Sequence, residues 1–154
     1  MEDSNKIWYE WDNNGRLYRD ENIRKPFRSL PGVSLITKYT FCSYKNTIQA
    51  SIDNFNRSVE WENMWDIKEA EDRLEKGHLL FIGVDKEGPL AHVWFDDNYL
   101  YNMFADPRRP DGYSVDFVKH CMQFILYKNV KLYCDDWNIK AQKFFEKVGF
   151  ERNI

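Results

Sequence analysis

Asn138-Ile139-Lys140-Ala141-Gln142-Lys143-Phe144-Phe145-Glu146-Lys147-Val148-Gly149-Phe150 is the stretch that decides the fold. Asn138 can cap a helix by accepting from an amide three residues on, Ile139–Val148 continues as a short helix, and Gly149 supplies the conformation that ends helices. Immediately before it, Val130, Leu132 and Cys134 alternate with Lys131, Tyr133 and Asp135, the two-residue period of a strand. Further back, Val115, Val118, Cys121, Met122, Ile125 and Leu126 recur at helical spacing. They follow the loop Asp106-Pro107-Arg108-Arg109-Pro110-Asp111-Gly112. Ahead of that loop three antiparallel strands are predicted at Leu79–Asp85, Leu90–Phe95 and Tyr99–Ala105, with turns at Lys86-Glu87-Gly88 and Asp96-Asp97-Asn98.

The first half of the chain reads as two helices behind a strand. Val33–Thr40 is a predicted strand, and Ser43–Asn56 a helix with Ile48, Ile52 and Phe55 on one face and Ser43 as its cap. Asp66 opens a second helix that stops at Gly77. Lys6–Trp11 and Arg16–Arg19 flank Asp12-Asn13-Asn14-Gly15, which predicts an N-terminal β-hairpin. Arg24–Gly32, with two prolines, is a connecting loop. No repeat or linker interrupts the 154 residues, so a single α/β or α+β domain is expected, residues 33–154 forming the core and 1–32 an extension.

Composition narrows the function classes. With 22 Lys+Arg against 25 Asp+Glu the net charge is −3, which gives no general attraction to nucleic acid despite Arg24, Lys25 and Arg28. An aromatic nucleic-acid module built on the N-terminus is therefore the least favoured class. No stretch has the length of a membrane span, and Met1-Glu2-Asp3-Ser4 is acidic, so a cytoplasmic protein without a membrane partner is expected. Cys42, Cys121 and Cys134 form no C-x-x-C pair and are expected to be reduced thiols in the interior. His78, His92 and His120 share no ligand spacing, so no metal is expected.

A strand, a glycine-containing loop and a helix N-terminus in succession, as in Tyr99–Ser114, make an anion site, because free amides and the positive dipole end converge. Arg109-x-x-Gly112-x-Ser114 together with the 138–150 segment resembles the GNAT acyltransferase superfamily, whose acyl-CoA loop reads [QR]-x-x-G-x-[GA] and whose late helix reads N-x-x-A-x-x-[FL]-Y-x-[KR]-x-G-F. The resemblance covers roughly Val33 to Phe150. It implies a central mixed, mostly antiparallel sheet flanked by about four helices. The family's fourth and fifth strands, here Tyr99–Ala105 and Val130–Asp135, would splay apart to admit the cofactor's pantetheine arm.

By the same resemblance, Met103, Phe104 and Ala105 would hydrogen-bond that arm through their backbones. Asp111, Gly112, Tyr113 and Ser114 would cradle the pyrophosphate with Arg109 beside it, and Asn138 and Phe145 would line the opposite wall. The implied reaction is acetyl transfer from acetyl-CoA to an amine by direct attack. Trp61 and Trp65 lie where the acceptor would bind, among Glu60, Glu62 and Asp66, which would suit a cationic amine.

Several positions depart from the family pattern. The tyrosine that would protonate the departing thiolate is replaced by Phe145, Pro110 has no N–H to offer, and Ser114 stands where Gly or Ala is usual. The fourth strand carries Tyr99, Tyr101 and Asn102 but no Glu, which leaves Tyr99 and Asp135 as candidates for acid and base. The alternative is a catalytically impaired GNAT-fold chain that binds CoA or a protein partner. Each site residue also has a plain structural role open to it: Asn138 and Gly149 as helix caps, Phe144, Phe145 and Phe150 as core, Asp135 and Asp136 as turn residues, and Trp61 and Trp65 as packing. Family members often continue the sheet after the Gly-Phe element. The N-terminal hairpin is expected to cover the surface left there or to form a subunit interface in a homodimer.

Overall fold

The computed structural model describes residues 6–11, 30–125 and 129–153. The element order is β1 (Lys6–Trp11), β2 (Val33–Ile36), α1 (Phe41–Asn56), α2 (Ile67–Glu75), β3 (Leu79–Asp85), β4 (Gly88–Asp96), β5 (Tyr99–Ala105), α3 (Tyr113–Met122), β6 (Val130–Asp135), α4 (Ile139–Val148) and β7 (Glu151–Asn153). The seven strands are ordered β2-β3-β4-β5-β6-β1-β7. This is the mixed, mostly antiparallel α/β architecture expected from the sequence, with four α-helices among the described residues.

The chain divides into two compact units, one of Met1–Leu30, Asn98–Tyr101 and Val115–Ile154, the other of Pro31–Asp97 and Asn102–Ser114. In the second, β2, β3 and β4 form an antiparallel meander with pairs such as Ile36↔Leu80 and Phe81↔Val93. β4 is buried from Pro89 through Phe95, an almost unbroken apolar run that holds one titratable residue, His92. α1 places Ile48, Ser51 and Ile52 on its buried face. α2 starts where Asp66 accepts from the Glu69 amide at 2.8 Å, the cap read from the sequence. The short 3-10 turn Trp61–Asn63 precedes it.

The start of α1 differs from expectation. It begins at Phe41, not after Ser43, and β2 stops at Ile36, because Thr40 Oγ1 accepts from the Thr37 amide at 3.0 Å and closes a turn there. That hydroxyl is used on the turn, and no side chain caps the helix.

In the first unit the start of β5 pairs with β6 in parallel, at Tyr99↔Lys131. β1 pairs antiparallel with β6 along its whole length, from Lys6↔Asp135 to Trp11↔Val130, and with β7 from Trp8↔Asn153 to Glu10↔Glu151. Both edges of β1 are thus taken by strands from the far end of the chain. The second hairpin arm, Arg16–Arg19, and its turn lie outside the described residues, as do Arg24, Lys25 and Arg28. β1 alternates as a half-buried strand: Tyr9 and Trp11 are each 1% exposed while Trp8 is 42% exposed. Tyr9 donates its hydroxyl to Glu146 Oε2 of α4 at 2.6 Å. Burial, then that carboxylate, pushes the phenol up to about 12. α4 is capped as read: Asn138 Oδ1 accepts from the Ala141 amide at 3.2 Å, and Gly149 ends it at φ 123°.

Candidate functional site

The corner between β5 and α3 is assembled by a chain of local bonds. The Asp106 amide donates to the Leu90 carbonyl of β4 at 2.8 Å, which fixes the loop's departure. Asp106 Oδ1 then accepts from the Arg108 amide at 2.9 Å, and its carbonyl from both the Arg109 amide and Arg109 Nη1 at 3.0 Å. Arg108 reaches the other way, to Asp85 Oδ2 at 2.6 Å and to the carbonyls of Gly88 and Pro89 at 3.1 and 3.2 Å. Its guanidinium holds the Asp85 carboxyl below the usual carboxylate range. Sequence reading gave the loop's charge to Arg109. The structure uses Arg108 as the staple to the β3–β4 turn and leaves Arg109 half-buried, with one N–H turned back on its own loop.

The loop ends as an anion cradle requires. Pro110, which has no N–H, contributes its carbonyl instead, accepting from the Tyr113 amide at 3.1 Å, so the open amides of α3 begin at Ser114. Gly112 has φ 79°, and a Cβ built there meets nothing within 4 Å. The positive φ selects glycine for the turn, and the space before it is open. Ser114 is 8% exposed, and its Oγ has no hydrogen-bond partner among the described residues. A buried hydroxyl left without a partner costs about 1–3 kcal/mol. A phosphate oxygen arriving at the helix N-terminus would satisfy it, so the donor set fits the pyrophosphate of an acyl-CoA. Asp111 is exposed and Tyr113 half-buried beside this hydroxyl.

The same unit holds Met103, Phe104 and Ala105, each half-buried on β5 directly before the loop. It also separates the two tryptophans read as one acceptor feature. Trp61 is 80% exposed on its 3-10 turn. Trp65 packs against Trp94 at 5.3 Å between centroids and Phe55 at 6.4 Å, with the Arg73 guanidinium 4.4 Å from its ring. Asn56 fixes the Trp65 backbone, donating to its carbonyl at 2.8 Å and accepting from its amide at 2.9 Å.

Near Trp65, lining a cavity with it, lies a histidine for which the sequence offers no ligand spacing. His92, 4% exposed, lies 2.8 Å from Ser51 Oγ through Nδ1 and 2.8 Å from Asn102 Oδ1 through Nε2. An amide oxygen only accepts, so Nε2 carries the proton and Nδ1 accepts from the Ser51 hydroxyl. Burial pushes His92 down to about 4, so the ring is neutral at pH 7. Phe55 and Phe104 pack on it at 5.6 and 5.8 Å. A cavity of about 10 Å³, room for about one water, lies between Ser51, His92, Trp65 and Trp94. The signals were present in the sequence: a histidine inside an apolar strand, and a serine between Ile48 and Ile52 on the apolar face of α1.

The remaining candidates belong to the first unit. Tyr99 stacks on Tyr133 with centroids 6.3 Å apart. Burial and that neighbour push its phenol up to about 12. Asp135 closes β6, and its carbonyl, with that of Asp136, accepts from Gln142 Nε2 at 3.0 and 3.1 Å. Gln142, 8% exposed, thereby locks the turn that presents the Asn138 cap, a role sequence reading missed. Phe145 is 9% exposed, with Phe144 and Phe150 against it at 5.0 and 5.7 Å. The three histidines lie in separate surroundings: His78 is 3.6 Å from Asp96, and His120 Nδ1 accepts from the Leu30 amide at 3.1 Å. Cys121 and Cys134 are buried as expected, but Cys42 is exposed, because it follows the first residue of α1 on the outer face. Among the described residues no helix is long and apolar enough to cross a membrane.

No family profile and no curated protein matches the sequence. The fold does match solved structures. An aminoglycoside acetyltransferase from an uncultured soil metagenomic sample, in complex with sisomicin, superposes with a TM-score of 0.58 at 13% identity, over 76% of this chain and 86% of that one. A tandem GNAT protein from the clavulanic acid biosynthesis pathway gives 0.61 at 11% identity, over 96% of this chain and 50% of that one. A functionally unknown protein from Staphylococcus epidermidis gives 0.60 at 9% identity, with 96% of this chain and 57% of that one covered. The chain spans about half the length of these last two. Together these likenesses show a GNAT-like fold.

Proposed function

We propose that this chain is an acyl-CoA-dependent N-acyltransferase that moves an acetyl group from acetyl-CoA to an amine by direct attack in a ternary complex. The observation that carries the reading is the corner at Gly112–Ser114. An open positive-φ glycine is followed by a buried hydroxyl without a partner among the described residues, at the N-terminus of a ten-residue helix.

In this reading Gly112 and Ser114 hold the pyrophosphate, Arg109 adds positive charge, and the Met103–Ala105 backbone holds the pantetheine. The amine lone pair attacks the thioester carbon, the carbonyl pair moves to oxygen, and collapse breaks the C–S bond to release the thiolate. The ammonium proton returns to water or to that sulfur. Orientation and charge stabilisation supply most of the acceleration.

Phe145 offers no proton. Tyr99, held near 12, is a poor acid for a thiolate whose conjugate acid ionises near about 8.5. Asp135 remains as a base. The acceptor is read as a small or peptidic amine, with Trp61 and Trp65 on its side. A cytoplasmic setting accords with three free cysteines.

Calorimetric titration with acetyl-CoA and with CoA tests the reading, repeated on Gly112→Asp, which places a carboxylate where phosphate would lie while keeping a residue that tolerates positive φ. Saturable binding is expected, weakened at least tenfold in the variant, about 1.4 kcal/mol. Absence of binding by the wild type refutes it. The buried, hydroxyl-free Phe145 favours a second reading, a chain that binds CoA without turnover. Binding with no thiol released across a panel of amines would select it.

A further inference from the structure

Apart from the Gly112–Ser114 corner, the second unit holds a buried polar chain of Ser51, His92 and Asn102. These three polar side chains come from α1, β4 and β5 and are joined end to end by two 2.8 Å hydrogen bonds. Ser51 and His92 are each 4% exposed, and rings of Phe55 and Phe104 enclose the imidazole. An apolar residue at position 92 would fill the same space without the cost of desolvating an imidazole, so a buried polar chain of this kind calls for a task.

The chain has a direction. Ser51 can only turn its proton inward to Nδ1 while Nε2–H is committed to Asn102 Oδ1, so the imidazole is locked in one tautomer and the carboxamide in one orientation. Asn102 is half-buried, and its Oδ1 is occupied. Its Nδ2 has no protein partner among the described residues and is not among the fully buried unsatisfied atoms. Two N–H donors are therefore held in a fixed direction at a position solvent reaches. They sit on β5 directly before Met103–Ala105, the strand that leads into the Gly112–Ser114 corner, and all of these residues lie in one compact unit.

Resting on the acyltransferase reading, we infer that Asn102 donates a hydrogen bond from Nδ2 to the thioester carbonyl oxygen of the acyl-CoA, with His92 and Ser51 as positioning residues that aim it. The donor serves the oxygen that becomes negative as the amine bonds to the carbonyl carbon. It gives up no proton, and when the C–S bond breaks the electron pair leaves with sulfur. An amide is suited to this because it donates without titrating, and a neutral His92 keeps the aim constant across the physiological range.

The test needs no acceptor. Acetyl-CoA labelled with carbon-13 at the carbonyl is bound to the protein and its resonance compared with that of the free thioester, while calorimetry measures affinity on the same samples. Wild type is expected to move the carbonyl downfield, and Asn102→Ala to lose most of that shift with affinity changed less than about threefold. His92→Leu is expected to lose it as well, and His92→Gln, which can still donate to Oδ1, to regain part of it. In the wild type the Asn102 side-chain N–H resonances are expected to move with acetyl-CoA and not with CoA, which lacks the carbonyl, so the inference stays testable if a variant fails to fold. On a reactive amine, Asn102→Ala is expected to lower kcat roughly hundredfold at little change in KM. Tight binding with an unshifted carbonyl, or with the same shift in Asn102→Ala, overturns the inference alone. Absence of wild-type binding in the calorimeter overturns the acyltransferase reading and this inference with it.

Discussion

Replacing Gly149 by alanine separates two demands that a single glycine meets. Its φ of 123° is a conformation that L side chains rarely adopt, which costs about 1–3 kcal/mol. A Cβ there would also lie 2.7 Å from Trp11 Cζ3 and 3.5 Å from Cε3 and Cη2. Carbon atoms prefer roughly 3.5–4.0 Å, so the first contact is repulsive. Trp11 has no room to recoil: it is 1% exposed and its ring sits 5.7 Å from that of Phe150. Overpacking of this kind costs about 1–3 kcal/mol more. Gly77 is the control, with φ 98° and nothing within 4 Å of a built Cβ, so Gly77→Ala carries the backbone strain without the clash. For a chain of this size 1 kcal/mol moves Tm by about 2–4 °C. A clash of about 2 kcal/mol therefore places Gly149→Ala about 6 °C below Gly77→Ala in a thermal melt followed by circular dichroism. Trp11→Leu should recover part of that difference in the double variant, a coupling of about 0.5–3 kcal/mol. Equal melting temperatures for the two alanine variants would refute the close approach of α4's end to β1.

Two further outcomes follow from the second unit. Asn56→Ala removes both hydrogen bonds to the Trp65 backbone, and at about 1 kcal/mol each should lower the urea unfolding free energy by about 2 kcal/mol, with Trp65 fluorescence shifted to the red. His92 titrates near 6.5 when unfolded and about 4 when folded, so below pH 6.5 only the unfolded chain gains a proton, and stability falls with pH until about 4. The span corresponds to about 3 kcal/mol, and urea titrations between pH 7 and 4 should show that part of the acid loss missing in His92→Gln.

Elements with strong local signals were legible. The Asn138 and Asp66 caps, the alternation in Val130–Asp135 and the Gly149 stop are written in adjacent residues, and they sit where those residues place them. The start of α1 differs because Thr37–Thr40, read as the end of a strand, closes a turn through the Thr40 hydroxyl and lets the helix begin at Phe41, ahead of Ser43. What could not be read was partnership across distance. Nothing near Lys6–Trp11 announces that both of its edges are filled by strands more than a hundred residues away, or that Tyr9 will meet Glu146.

The same distinction governs the candidate site. Gly112 and Ser114 could be singled out in advance because a turn glycine and the first residues of a helix are local features of adjacent residues. The Ser51–His92–Asn102 chain could not, since its members are 41 and 10 residues apart along the chain and each is individually unremarkable in its segment. Only β4, buried between its neighbours, brings them together. A motif reports how a ligand is held where local backbone does the holding. The orientation of the Asn102 carboxamide is set by tertiary packing through His92 and Ser51, from strands and a helix that no segment of sequence displays together, and a reading of local motifs passes over it.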